Sequence, residues 1–216
     1  MFDPSTPNFL SSNWLALILF IFLTPSLIWV SLDRSKFLFS LITNYIFTEL
    51  KPLITKSTYS MIIFVSFFVL IMYNNLMGLA PYIFTCSSQL TFTLSLALPM
   101  WLSLMLYGWA NNASNLLVHL IPQSTPTMLM PFMVLIETIS NLIRPLTLAV
   151  RLTANMVAGH LLIVLLNSAD PATPLILSPL LFIAKQALLV LELAVAFIQA
   201  YVFSVLATLY SAEFTN

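Results

Sequence analysis

The chain has 216 residues, of which 60% are hydrophobic and only 6% charged; soluble domains carry roughly 25% charged residues, so most of this surface must meet lipid. The formal net charge is zero, which excludes the basic stripe that a nucleic-acid partner requires. With three glycines there is no Gly-rich cradle for a phosphate, and the single cysteine, Cys86, has no partner for an internal disulfide. No cofactor and no metal are expected.

Met1 to Asn13 holds Asp3 and two prolines but no Lys or Arg. It fits neither a positively charged secretory leader nor an Arg-rich transit peptide, so an organelle protein of this kind is expected to be made inside the organelle. About 20 apolar residues cross a bilayer core of about 30 Å. The first such run covers residues 14–30, the second 61–83 and the third 90–109. Residues 33–56 read differently. Leu38, Leu41, Ile42, Tyr45, Ile46, Leu50, Leu53 and Ile54 recur at helical spacing, with Lys36, Ser40, Thr43, Asn44, Thr48 and Lys51 on the other side. That pattern predicts an amphipathic helix in the interface plane, bent near Pro52.

Four of the seven cations, Arg34, Lys36, Lys51 and Lys56, sit in this segment. The bias of positive charge puts it on the inner face, with the N-terminus outside, the Asp170 loop outside and the C-terminus inside. The last two apolar stretches, 130–166 and 175–210, reach about 55 Å each against a core of about 30 Å. Typical spans tilt by about 20°, whereas these would need roughly 55–60°. They predict a steeply inclined helical hairpin turning at Asp170-Pro171, with Pro131, Pro145 and Pro179 permitting bends. Such a hairpin needs a partner to lie against. The whole reads as one all-α integral membrane domain over 1–216: an N-terminal span, an interfacial helix, two further spans and the inclined hairpin.

The arms carry the chemistry. Glu137, Arg144 and Arg151 recur every seven residues in one, and Lys185, Glu192 and Gln199 every seven in the other. Seven residues fall only about 20° short of two helical turns, so each set forms a stripe on one face. A charge at the bilayer centre costs about 2.5–3.5 kcal/mol on insertion scales. These stripes therefore mark a protein interior, a water-filled path or a charged partner. Arg151 keeps its charge in any protein environment, so it cannot pass on its own proton, but it can favour an ionised carboxylate nearby. An internal pair between Arg151 and Glu192 is the alternative. His160 lies about 180° around the helix from Arg151, and it reads either as a titratable group on the outer side or as an interhelical hydrogen-bond donor. Glu192 must be protonated, paired or hydrated. Glu137 and Glu213 fall near the inner ends of the arms, and Glu213 also reads as a solvated tail residue. His119 reads as structural.

The run Leu148-Ala149-Val150-Arg151-Leu152-Thr153-Ala154-Asn155-Met156-Val157-Ala158-Gly159-His160 closely resembles the subunit a (subunit 6) family of mitochondrial F-type rotary ATP synthases. His119 to Gln123 with Thr125-Pro126, Glu137 to Ser140 and Phe197 to Tyr201 resemble it too. Its specificity lies in residues 119–210; residues 1–110 match in layout. The resemblance implies a stator subunit, no enzyme on its own, that forms two offset half-channels and loads and unloads protons on the carboxylates of a rotating c-ring. Carried over by position, Arg151 is the essential arginine between the channels, with Asn155 and Gln199 beside it. His160 and Glu192 line the outer half-channel, Glu137 the inner one, and Glu213 is assigned to the inner exit more loosely. The order of His and Glu at the two entry positions is the mitochondrial one. The implied partners are the c-ring facing Arg151, other membrane and peripheral-stalk subunits, and the bilayer. The implied location is the mitochondrial inner membrane, N-terminus in the intermembrane space and C-terminus in the matrix. A stand-alone proton or ion channel or transporter is the alternative. It would call for inverted repeats or broken spans in matching halves, and the sequence has neither.

Overall fold

The computed structural model describes residues 12–18, 21, 24, 33–54, 58–80, 83–119, 121, 126, 128–169 and 178–215. Within them the chain is all-helical. The long helices are α1 (Arg34–Leu50), α2 (Thr58–Gly78), α3 (Leu90–His119), α4 (Met130–Ala169) and α5 (Ser178–Thr215). Short 3-10 turns occupy Ser12–Leu17, Lys51–Leu53 and Cys86–Ser88. Among the described residues, four helical stretches are long and apolar enough to cross a membrane: Ser60–Gly78, Leu90–Asn111, Met130–Ser168 and Ser178–Ala212. Most of the span expected over 14–30, and the turn at Asp170-Pro171, lie outside the described residues.

The helix ends follow local chemistry more than hydropathy. α2 stops at Gly78 although apolar residues continue towards Ile83, because Pro81 disfavours helix for the residue before it. The amides of Leu79 and Ala80 instead bond back to Leu76 and Met77 at 3.2 and 3.1 Å, closing the last turn. α3 runs ten residues beyond 109, where the expected apolar span ends, and its apolar stretch covers Leu90–Asn111. Asn111, Asn112, Ser114 and Asn115 are polar but do not break a helix, and the first breaker is Pro122. Among the described residues, only Pro99 and Pro145 lie inside helices beyond the first turn. Pro131 and Pro179 occupy the first turns of α4 and α5, where no intrahelical bond is lost, so they bend nothing.

α1 departs from a simple two-sided helix. Ile46, Leu50 and Ile54 are buried in the core, while Phe37, Leu38, Leu41 and Tyr45 are exposed. Ile46 and Leu50 stand about 80–120° around the helix from Leu38, at 100° per residue. The apolar residues thus split into one face that docks on the protein and another that the chain does not cover.

The core lies where α2 meets α1, α4 and α5. α5 offers α2 a stripe of small residues: Ala196, Ala200, Ser204, Ala207, Thr208 and Ser211 are all buried. Their size matters because helices in lipid gain nothing from expelling water and are held by close packing. The hydroxyls are satisfied within α5 itself, Ser204 to Tyr201, Thr208 to Val205 and Ser211 to Thr208, at 2.7–2.9 Å. From α2 come Phe64, Phe68, Ile71 and Asn75, spaced to share one face. Phe67 and Phe203 add a tilted ring pair with centroids 6.2 Å apart.

Two contacts fix α4 and α5 as antiparallel neighbours. The Arg144 guanidinium lies 5.4 Å from the Tyr210 ring centre, and Gly159 abuts Glu192. Those contacts are about 22 Å apart along α4 and about 27 Å along α5. The arms are single helices of 40 and 38 residues, each about 57–60 Å long.

Ala200 has no exposed surface at the α2–α5 contact. Ala200→Leu should lower stability by about 1–3 kcal/mol through overpacking, read as an earlier thermal unfolding midpoint in detergent. Val190→Leu, on the exposed side of α5, should leave the midpoint unchanged.

Candidate proton-transfer site between the arms

The two polar stripes end in different environments. Arg151 is exposed on α4 between buried Ala149 and Leu152. Among the described residues it makes no ion pair; the two found there join Lys36 to Asp33 and Arg144 to Glu137. The internal Arg151–Glu192 pair is therefore not formed. Glu192 instead faces α4 about 12 Å further along, at Gly159.

Glu192 is 7% exposed, and neither carboxyl oxygen has a hydrogen-bond partner among the described residues. It borders a cavity of about 480 Å³ between α4 and α5. His160, Gly159 and Asn155 contribute from α4, and Gln199 from α5. A single water needs only about 10–15 Å³, so the space admits a connected file of waters. Most of the wall is apolar, including Leu188, Leu191 and Val195. Water entering there would find its hydrogen bonds at these few polar groups.

His160 is set from a third helix. Its ring hydrogen-bonds the backbone of Gly78, the last residue of α2. The final carbonyls of a helix have no intrahelical partner, so an imidazole N–H satisfies one of them while the bond fixes the ring. Gly78 also sits tightly between Thr85 and Met156; a Cβ there would come within 3.1 Å of Thr85 Cγ2. The loop 83–89, with Thr85, Cys86, Ser87 and Ser88 all buried, thus closes over this end of α2. Burial pushes the Cys86 thiol up to about 11, consistent with a packing role.

At the other end, Glu137 pairs with Arg144 at 3.7 Å, both partly exposed. Lys185 is half-buried one heptad before Glu192. Glu213 lies in the last turns of α5 and His119 at the end of α3, but their side chains are outside the described residues. Chemically, the cavity brings together a carboxyl, an imidazole and two amides, groups able to pass a proton through water. The exposed guanidinium stands apart from them.

Sequence reading does not single out Asn75. It is wholly buried, its Nδ2 donates to the Ala196 carbonyl at 3.5 Å, and its Oδ1 has no partner among the described residues. The available signal was an amide pair, Asn74-Asn75, inside an otherwise apolar span.

A profile described as ATP synthase A chain matches residues 9–212. ATP synthase subunit a of Drosophila melanogaster is 54% identical over 215 residues, 99% of this chain and 96% of the relative. The Locusta migratoria protein of the same name is 52% identical over 215 residues, covering 98% and 96%. That of Anopheles gambiae is 54% identical over 217, covering 99% and 96%.

If the cavity holds water, position accessibility should follow it. In a Cys86→Ser background, Ala158→Cys at the cavity wall should react with a small water-soluble thiol reagent, and Val190→Cys on the outer side of α5 should not. Equal reactivity at the two positions would refute a hydrated cavity.

Proposed function

The chain belongs to the ATP synthase A chain family, and we propose that it performs that family's proton translocation through two offset half-channels separated by Arg151. As the proton-translocating subunit of the membrane sector it is no enzyme by itself, and a stand-alone channel or transporter is not favoured. It is a multi-pass protein of the mitochondrial inner membrane working with other ATP synthase subunits. The finer reading puts a c-ring against the inclined arms at Arg151, with peripheral-stalk subunits around them. It also puts the N-terminus in the intermembrane space and the C-terminus in the matrix, with synthesis inside the organelle.

One observation carries this reading: among the described residues Glu192 is buried without a hydrogen-bond partner at a cavity it shares with His160, while Arg151 is exposed and makes no ion pair. A proton enters from the outer side past His160 and Glu192, with Asn155 and Gln199 ordering the water beside Arg151. It neutralises a carboxylate of the ring, which then turns through lipid at little electrostatic cost. Near Glu137, and Glu213 in the looser assignment, the carboxylate loses its proton to the inner side. Arg151 favours the ionised carboxylate as it passes and bars a direct proton leak. Each charge moved down the potential contributes about 2.3 kcal/mol per 100 mV.

The decisive test is Arg151→Gln in the assembled complex, reconstituted into vesicles. Proton-driven ATP synthesis should be abolished with subunit content unchanged, and a passive proton leak should open. Arg151→Lys should also fail substantially, since an ammonium lacks the planar fork and can lose its proton when desolvated. Robust synthesis by Arg151→Gln with Glu192→Gln would mean that the two act only as an internal pair, and would sink the half-channel reading.

The outer entry has its own test. Glu192→Gln and His160→Ala should each slow ATP-driven proton pumping while the complex stays assembled. A normal rate in the double variant would remove both residues from the required path.

A further inference from the structure

Of the chain's three glycines, one sits inside α4, although glycine is the poorest helix former after proline. A Cβ built on Gly159 would lie 2.9 Å from Cδ and Oε1 of Glu192 and 3.1 Å from its Cγ. Ordinary carbon contacts are about 3.5–4.0 Å. The bare backbone of α4 is thus the wall on which the Glu192 carboxyl rests. No hydrogen bond among the described residues holds that carboxyl, so steric seating against α4 is what defines its position.

We infer that Gly159 is a positioning residue for Glu192: its missing Cβ lets the carboxyl lie against α4 at the cavity wall, one residue from His160. This rests on the reading of Glu192 as a proton-carrying group of the outer half-channel. A glycine kept for general helix packing would meet backbone or firmly held side chains. Gly78 does so, at Thr85 and Met156, but the three nearest atoms at Gly159 all belong to the end of Glu192. What yields to an added methyl is therefore the acid itself, and the adjoining cavity gives it room to move. Alanine is also the better helix former, so Gly159→Ala does not weaken α4. The substitution displaces a carboxyl and leaves the fold in place.

The test uses the assembled complex in vesicles, with subunit content checked separately. Gly159→Ala should slow ATP-driven proton pumping by roughly 10-fold, because a misplacement of about 1 Å can cost up to about 100-fold. Glu192→Asp shortens the side chain by one methylene and draws the carboxyl back from the wall. Gly159→Ala with Glu192→Asp should therefore pump faster than Gly159→Ala, and at least as fast as Glu192→Asp. A normal rate in Gly159→Ala, beside a slow Glu192→Gln, would overturn the inference and leave the reading of Glu192 standing. Equal losses in Gly159→Ala and the double variant, or failure of both to assemble, would make Gly159 a packing residue and also overturn it. If Glu192→Gln pumps normally, the reading fails and the inference goes with it.

Discussion

With no water to expel, helices in a bilayer are held together by how closely their surfaces fit. The fit between α2 and α5 sets the position of most other groups here. The small-residue stripe from Ala196 to Ser211 lets the two backbones approach, which brings Asn75 to the Ala196 carbonyl. The same approach puts the end of α2 beside α4, where the Gly78 backbone meets His160. A larger side chain on the stripe would shift both polar contacts together. The residues that position the site are therefore largely apolar and lie away from it.

That packing leaves the ionisable groups in separate surroundings. Glu192 is enclosed but touches a cavity, Glu137 is held by Arg144, and Arg144 is in turn stacked on Tyr210 of the other arm. Arg151 has exposure without an ion pair among the described residues. Had Arg151 and Glu192 met, each would have neutralised the other, and neither would remain available to a passing carboxylate or proton. Their separation of about 12 Å along the arms is thus as much a feature of the site as any contact in it.

Periodicity made the helices and the polar stripes legible, because lipid forces each span to be long and apolar and makes every charge conspicuous. The seven-residue spacing of Glu137, Arg144 and Arg151 reports that they share a face. It does not report what covers that face, and so it could not tell that Arg144 would find Glu137 while Arg151 would find no ion-pair partner among the described residues. Neighbours across helices were equally hidden. Gly159 is an ordinary letter in a matched run until Glu192 is seen against it, and Asn75 draws notice only once its burial is known. Helix ends depart from the apolar runs where hydropathy and backbone chemistry disagree, as at Gly78 before Pro81 and in the polar but unbroken run from Asn111 to His119. The apolar side of α1 was read as one face because its residues recur at helical spacing; docking of its last turn divides it in two.

The exposed arginine also bears on whether the chain is complete by itself. A guanidinium facing hydrocarbon costs about 2.5–3.5 kcal/mol on insertion scales, and it cannot lower that cost by giving up its proton. A snorkelling route to the interface is long, because α4 continues for 18 residues beyond Arg151 on one side and 21 on the other. No carboxylate among the described residues lies within ion-pair distance of it. A negative group brought to this face would offset the cost, and in the function proposed above another subunit brings it. A permanently bound anion would lock the pair, whereas a succession of carboxylates, each arriving protonated or ionised in turn, satisfies the charge without trapping it. On the reading proposed above, a rotor pressed against the two arms would supply such a succession at the exposed face of Arg151.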